Sequence, residues 1–168
     1  LRQWEKTEFD FREDDIYNER LYAIKYENKD GQRYYRAPND RDLANEAKVK
    51  QIVEDNISSW QEQGLVPSGA IESGMETERL FKERGLTHWN HLFNARQLLV
   101  TKTILANFIN EKNRLNKVAG ILGLNKCMLF NSRLSIWVNS PGVEKTVWIF
   151  TNQAYNTMFN YGSSAILS

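Results

Sequence analysis

The stretch "NARQLLVTKTILANFINEKN", residues 94–113, combines a helix start signal with a long apolar stripe. Asn94 is suited to the N-cap position, and Gln97, the third helical residue, can complete a capping box. Apolar and small residues recur at helical spacing and predict the buried face: Leu98, Leu99, Thr101, Ile104, Leu105, Phe108 and Ile109. The pattern therefore predicts an amphipathic helix that packs one face into a core.

Helical patterns continue on both sides of this stretch. Upstream, Asp40 can cap a helix that ends near Gly64. Its apolar positions are Leu43, Ala47, Ile52, Val53, Ile57 and Trp60. Downstream, residues 114–130, "RLNKVAGILGLNKCMLF", predict another helix that pairs with the first, although Gly120 and Gly123 lower its intrinsic propensity.

Strand signals flank the helices. Residues 20–38, "RLYAIKYENKDGQRYYRAP", have two aromatic runs around "NKDG" and predict a β-hairpin with strands near 20–27 and 32–37. Residues 67–74, "PSGAIESG", predict a loop. Residues 131–150 turn through Pro141 and Gly142 and are compatible with short strands, and "TNQAYNTMFNY", residues 151–161, is compatible with a return to helix.

The chain of 168 residues suits one domain of the α+β class, mainly α. We expect an N-terminal β-hairpin followed by a small helical bundle, with short irregular or strand segments near the C-terminus. The predicted parts are an extension (1–19), the hairpin (20–38), a helical core (39–130) and a mixed C-terminal segment (131–168).

Charge is spread unevenly along the chain. The formal net charge is +1, but residues 101–168 carry seven basic and two acidic side chains, a net charge of +5. Such asymmetry is typical either of a surface that faces nucleic acid or of an ordinary solvated face. Composition alone leaves both interpretations open.

The cysteine content, the apolar runs and the N-terminal residues of the sequence bear on the location of the protein. Cys127 is the sole cysteine, so no disulfide can form within the chain, and its apolar neighbours predict a buried thiol. No apolar run has the length of a membrane span, and the N-terminal residues do not have the order of a signal peptide. We expect a cytoplasmic protein without membrane contact. The first residue is leucine, which indicates a piece of a longer or processed chain.

The two histidines of the chain lie three residues apart, in "LTHWNHLF". Together with Cys127 they are all the soft metal ligands available, whereas a structural zinc site needs about four ligands and a catalytic one about three. A histidine acid or base is chemically conceivable, but no nucleophile with an orienting partner accompanies His88 and His91. We predict no metal and no catalytic residue, and interpret Trp89, Leu92 and Phe93 as an apolar lead-in to the helix.

The segment "GLTHWNHLFNARQLL" resembles the G-[ML]-T-x-W-x-x-L-F-x-x-R-Q-L-L segment of the prokaryotic adenine-specific DNA methylases that carry a zinc ribbon and a domain of unknown function. The matching residues are Thr87, Trp89, Leu92, Phe93, Arg96, Gln97, Leu98 and Leu99. The histidines fall on variable positions of that segment.

Further segments extend the resemblance from about residue 20 to the end of the chain. Upstream, "RYYRAPNDRDL" and "GLVPSGAI" are similar to Y-R-x-P and G-L-[IV]-P-x-x-x-I. Downstream, "NSRLSIW" and "FTNQAYNTMFNY" are similar to N-S-x-L-x-x-W and F-x-x-Q-A-x-x-M-x-[WF]-x-Y. The downstream matches are Asn131, Ser132, Leu134, Trp137, Phe150, Gln153, Ala154, Met158, Phe159 and Tyr161.

The resemblance implies that the chain is part of a larger enzyme and is not itself the catalytic part. An adenine methylase needs a glycine-rich turn for S-adenosylmethionine and a [DNS]-P-P-[YFW] loop for the flipped base. This sequence has no G-x-G and no adjacent prolines, and the cysteines of the zinc ribbon are missing as well. We therefore expect an excised middle portion that holds no cofactor and is not itself catalytic. Its parent would be an S-adenosylmethionine-dependent DNA (adenine-N6) methyltransferase.

Two classes of function follow. The first is an insert or target-recognition region that contacts DNA, with phosphate and base contacts from Arg96, Lys126, Asn131, Arg133, Trp137, Lys145 and Gln153. The second is a structural or interaction module that holds the remaining domains of the parent methylase together without touching DNA. For the second class, Arg96 would pair with an acidic neighbour, Gln97 would cap its helix, and Trp137 would lie in the core.

Overall fold

The structure is a computed structural model that describes residues 20–140 and 143–147. Within these residues a hairpin, four α-helices and a second hairpin follow one another: β1 (Ile24–Glu27), β2 (Arg33–Arg36), α1 (Asp40–Glu62), α2 (Glu78–Arg84), α3 (Ala95–Ile109), α4 (Arg114–Met128), β3 (Ile136–Ser140) and β4 (Val143–Val147). The α+β, mainly α class predicted from the sequence is confirmed.

Helix α1 begins and ends through local backbone chemistry. The Asn39 side chain accepts a hydrogen bond from the Asp42 N–H at 3.0 Å, and the Asp42 carboxylate accepts from the Asn39 N–H at 3.0 Å. The predicted cap, Asp40, is therefore wrong by one position, because Asp40 is already the first helical residue. At the other end Gly64 has a φ of 71°, a left-handed conformation that ends the helix where the sequence predicted.

Helix α3 is the centre of the bundle, since it packs against both α1 and α4. Leu98 and Thr101 are buried in this packing, and the apolar positions of the following turns are half-buried. The predicted buried face is wrong at its last position, because Ile109 is 41% exposed at the C-terminal end of the helix.

The hydrophobic core gathers side chains from most parts of the described chain. It contains Val53, Trp60, Val66, Ile71, Leu80, Leu86, Leu92, Phe93, Ala95, Leu98 and Leu134. Helices α1, α2 and α3 contribute to it, and so do the loops before α2 and α3 and the turn after α4. Leu92 and Phe93 are among the buried residues, which confirms the predicted apolar lead-in to α3.

Helix α2 was not predicted from the sequence. It has only seven residues, and its Leu80 is fully buried in the core. Gly85 follows it with a φ of 64° and donates its N–H to the Phe81 carbonyl oxygen at 3.0 Å. The sequence signal for this helix was a short apolar pair followed by a glycine in the C-terminal cap position. This signal is weak, because a helix of two turns is marginally stable without tertiary packing.

Helix α4 lies close to α3 at Gly120. A β-carbon added there would come within 2.4 Å of the Phe108 ring, whereas one added at Gly123 would meet no heavy atom within 4 Å. Leu124 is buried on the same side as Gly120. Cys127 is exposed, so the predicted buried thiol is wrong.

The two hairpins are antiparallel pairs. In the first, Tyr26 pairs with Tyr34, and their rings stack with centroids 5.5 Å apart. In the second, the register runs from Ile136 opposite Val147 to Ser140 opposite Val143. The predicted extension (1–19), the turn residues 141 and 142 and the predicted helix at 151–161 lie outside the described residues.

The contact between α3 and α4 generates a paired prediction. Gly120→Ala should lower the free energy of unfolding by about 1 kcal/mol or more, because overpacking against Phe108 outweighs the gain in helix propensity. Gly123→Ala should instead raise it by about 0.5–1 kcal/mol, because the added methyl group meets open space. Chemical denaturation of both variants measures the difference, and an equal effect at the two positions would contradict this packing.

Candidate functional site

The segment before α3 is fastened to the loop that precedes α2. The Ile71 N–H donates to the Thr87 carbonyl oxygen at 2.9 Å, and the Trp89 N–H donates to the Gly69 carbonyl oxygen at 3.1 Å. Ala70 and His88 form an isolated antiparallel bridge. Backbone N–H and carbonyl groups of these two loops therefore pair with each other instead of remaining without hydrogen bonds.

The start of α3 is fixed by the predicted capping box. The Gln97 N–H donates to Asn94 Oδ1 at 2.8 Å, and the Asn94 N–H donates to Gln97 Oε1 at 3.0 Å. Gln97 is buried. Its side-chain amide thus serves the backbone of its own helix, as the sequence predicted.

Arg133 joins the turn after α4 to the segment before α3. Its backbone N–H donates to the Leu92 carbonyl oxygen at 2.8 Å, and its Nη1 donates to the His91 carbonyl oxygen at 3.1 Å. Two of the segments that carry the family resemblance, residues 85–99 and 131–137, therefore contact each other. Arg133 holds this contact with its main chain and its side chain together.

Asn131 lies buried in the same turn. Its Nδ2 donates to the Cys127 carbonyl oxygen at 2.7 Å, whereas Oδ1 has no hydrogen-bond partner among the described residues. Next to it, the buried Ser132 and Ser135 bond each other, with Ser135 Oγ accepting from the Ser132 N–H at 3.1 Å. Asn131, proposed from sequence as a base-contacting residue, is therefore mainly enclosed.

Arg96 reaches from the first turn of α3 to α1. Its Nε donates to Glu46 Oε1 at 2.7 Å, and its Nη2 bonds the same oxygen. Both side chains are part-buried. The arginine is thus paired with an acidic neighbour, which is what the scaffold interpretation expected of it.

The second hairpin separates two of the predicted site residues. Trp137 pairs with Thr146, and Val138 pairs with Lys145, so Trp137 and Lys145 lie on opposite faces of the hairpin. Trp137 is half-buried, with Lys25 Nζ 5.2 Å from its ring centroid, and Lys145 is exposed. These two side chains cannot contribute to one flat contact.

Lys126 is exposed on α4, with its Nζ 5.9 Å from the centroid of the Phe130 ring. Gln153 lies outside the described residues. Of the described residues in the predicted set, Arg133 contacts the segment that contains Arg96, whereas Trp137 and Lys145 lie on opposite faces of the second hairpin.

The two histidines form a half-buried pair around Thr87. The Thr87 hydroxyl lies 2.9 Å from His88 Nδ1, and the Thr87 N–H donates to His91 Nδ1 at 3.3 Å. Burial lowers the pKa of His91, and the charges of His88 and Arg133 lower it further. The geometry thus favours a neutral His91 ring, whose Nδ1 accepts the hydrogen bond from the Thr87 N–H.

No group of three or more His, Cys, Asp or Glu side chains in residues 20–140 and 143–147 is arranged to hold a metal ion. Sequence reasoning missed a small apolar cavity of about 230 Å³ between the end of α1, α3 and α4. Its walls include Leu65, Phe93, Leu98, Leu105, Leu124 and Met128. No motif signals such a cavity, because it arises where three separate elements fail to fill the space between them.

Comparisons of the chain with protein-family models, with curated proteins and with solved structures find no match. Among the described residues, no helix combines the length and the apolar character needed to cross a membrane.

The His91 environment predicts a dependence of stability on pH. Because the pKa of His91 in the folded protein is lower than its ordinary value of 6.5, the unfolded chain binds a proton more readily. The stabilisation is fully present above pH 6.5 and is lost as the pH falls towards the lowered pKa. We expect the free energy of unfolding to decrease between pH 7 and 5.5, by less in His91→Gln.

His88→Gln is the matched control for this measurement. It removes a neighbouring charge but leaves the burial of His91, which is the largest cause of the lowered pKa. Most of the pH dependence should therefore remain in this variant. An unchanged pH profile in His91→Gln would show that other groups cause the loss.

Proposed function

We propose that the chain is a non-catalytic module of an S-adenosylmethionine-dependent adenine-specific DNA methyltransferase, in which it scaffolds the remaining domains. The proposal joins the resemblance of the sequence segments to the internal role of their side chains. Binding of the cofactor and transfer of the methyl group would belong to other parts of the parent enzyme. Cytoplasmic location is part of the same proposal.

The observation that carries the scaffold role is the contact that Arg133 makes with the segment before α3. The Arg133 N–H and Nη1 donate to two successive carbonyl oxygens, those of Leu92 and His91. A guanidinium that stabilises a buried loop is oriented by that loop, and moving it to a phosphate would leave the His91 carbonyl oxygen without its donor. The side chain is therefore used for structure.

Other residues of the resembling segments support the same role. Arg96 pairs with Glu46 of α1, Gln97 completes the capping box, and Asn131 bonds the last turn of α4. Arg96 joins two helices, whereas Gln97 and Asn131 stabilise the ends of α3 and α4. A surface that recognises DNA would instead present such groups to the solvent.

Contact with DNA is a second candidate, and the distribution of charge favours it. Between residues 95 and 143 the sequence has seven basic residues, whereas Glu111 is the single acidic residue. Lys126 and Lys145 are exposed. Duplex DNA would be held through its phosphates, and binding would weaken steeply with salt.

The proposal predicts the behaviour of the chain towards the cofactor. No glycine-rich turn in its sequence can approach the adenosine or the carboxylate of S-adenosylmethionine. Calorimetric titration of the folded chain with S-adenosylmethionine should give no heat of binding. Micromolar affinity for S-adenosylmethionine would contradict the proposal that another part of the enzyme binds the cofactor.

A second prediction separates the scaffold role from contact with DNA. Arg133→Ala should lower the free energy of unfolding by about 1 kcal/mol, because it removes a charged donor from a part-buried carbonyl oxygen. Lys145→Ala should change it by less than about 0.5 kcal/mol, because Lys145 is exposed. Thermal or denaturant unfolding measures both.

The unmodified chain, Lys126→Ala and Lys145→Ala are titrated with a short DNA duplex at low ionic strength. The scaffold role predicts no salt-sensitive binding by the unmodified chain. The DNA role predicts binding that weakens in Lys126→Ala and Lys145→Ala while folding stays intact, with the log-log salt slope reduced by about one unit for each lost phosphate contact. Such a result would replace the scaffold role with the second candidate.

A further inference from the structure

Helix α4 presents apolar side chains to the solvent along one side. Leu115 is 76% exposed, Val118 is 47% exposed and Leu122 is 63% exposed. Ala119, between them, is exposed as well. These four positions, here called the outer α4 face, follow the i, i+3, i+4, i+7 spacing that places side chains on a single side of a helix.

The opposite side of α4 is already covered. Gly120 lies against the Phe108 ring of α3, and Leu124 is buried. Helix α4 is therefore apolar on two sides, of which α3 covers one. A helix with apolar residues all round is normally buried all round, and grouped apolar side chains at a surface mark an interaction site.

The charged residues of α4 are all basic. Arg114 lies one turn before Val118 and Lys126 lies one turn after Leu122, so both adjoin the outer α4 face, whereas Lys117 lies on the side that faces α3. The nearby Glu111 accepts a hydrogen bond from the Asn113 N–H at 2.8 Å. Cations at a helix N-terminus are unfavourable, because that end already carries the positive pole of the helix dipole. An acidic partner would relieve this repulsion.

We propose that the outer α4 face binds an amphipathic helix whose apolar side chains are flanked by aspartate and glutamate. The inference deepens the proposed function, on which it rests, by naming the chemistry of the partner that the module holds. Leucine-sized anchors at helical spacing would pack between Leu115, Val118 and Leu122. The partner's carboxylates would face Arg114 and Lys126 at the two ends of the contact.

Two other occupants fit the face less well. A second copy of the chain that used the same face would bring basic residues together in either orientation, Arg114 and Lys126 of one copy against those of the other, and like charges at an interface disfavour association. Duplex DNA binds polar, positively charged surfaces, whereas the centre of this face is made of leucine and valine side chains. The apolar centre and basic edge together match an acidic helix.

The experiment uses two synthetic helical peptides of about 18 residues, long enough for helix formation in water. One has leucines at i, i+3, i+4 and i+7 flanked by glutamates, and the other has lysines in place of the glutamates. Each carries a fluorophore and is titrated with the whole chain. Fluorescence anisotropy should give micromolar binding of the glutamate peptide, and the lysine peptide should bind about tenfold more weakly or not at all.

Substitutions locate the binding surface. Leu115→Ser and Leu122→Ser should each weaken binding of the glutamate peptide by about tenfold, because they remove exposed anchors without opening the core. Met75→Ser is the matched control, since Met75 is 89% exposed but lies outside α4, and it should leave binding unchanged. Arg114→Glu combined with Lys126→Glu should reverse the preference towards the lysine peptide.

Several outcomes would overturn the inference. They are no binding of the glutamate peptide by a chain that unfolds normally, equal binding of both peptides, and unchanged binding in the leucine variants. Self-association of the chain that Leu122→Ser abolishes would assign the face to a second copy, and displacement of the peptide by duplex DNA would assign it to nucleic acid. Failure of the scaffold role is recognised separately, by salt-sensitive DNA binding together with unchanged stability of Arg133→Ala.

Discussion

A backbone hydrogen bond of 2.8 Å, from the Arg133 N–H to the Leu92 carbonyl oxygen, joins two parts of the chain that are far apart in sequence. Much of the described structure depends on it, because buried loops are stable only when their backbone groups are paired. On one side of the bond, Leu92 and Phe93 enter the core immediately before the cap of α3. On the other side, Leu134 enters the same core from the turn after α4. Helices α3 and α4 are thus joined at both ends. The chain connects the end of α3 to the start of α4, and this hydrogen bond connects the start of α3 to the end of α4.

Local rules predicted much of this fold, and contacts between distant residues account for what they missed. The capping box of Asn94 and Gln97 was predictable because donor and acceptor lie three residues apart. The partner of Arg96 is separated from it by 50 residues, so that neither helical pattern contains information about the other. The exposure of Cys127 was predicted wrongly for a related reason, since apolar neighbours in sequence do not show whether another element covers that position of the helix. The position of Asn39 as cap differs from the prediction by a single residue, which is the usual uncertainty when several polar residues precede a helix.

The candidate site was harder to predict than the fold, because the side-chain direction decides it. The type of residue suggested DNA contacts for Trp137 and Lys145, but the strand register places them on opposite faces. Arg133 has the chemistry to bind a phosphate, and in the fold its guanidinium binds a carbonyl oxygen instead. A residue pattern that resembles a functional motif can therefore reflect requirements of folding. In this chain Arg96 and Arg133 connect separate elements. Gln97 and Asn131 bond the ends of α3 and α4.

The unpaired Oδ1 of Asn131 has a consequence for the motions of the protein. A buried oxygen without a donor loses its hydrogen bond to water on folding, at a cost of about 1–3 kcal/mol. When the turn at residues 131–135 opens locally, water restores that bond, so opening there requires less free energy than in a fully paired segment of the same core. The turn that closes the helical bundle is thus also a segment that opens to solvent at a reduced cost.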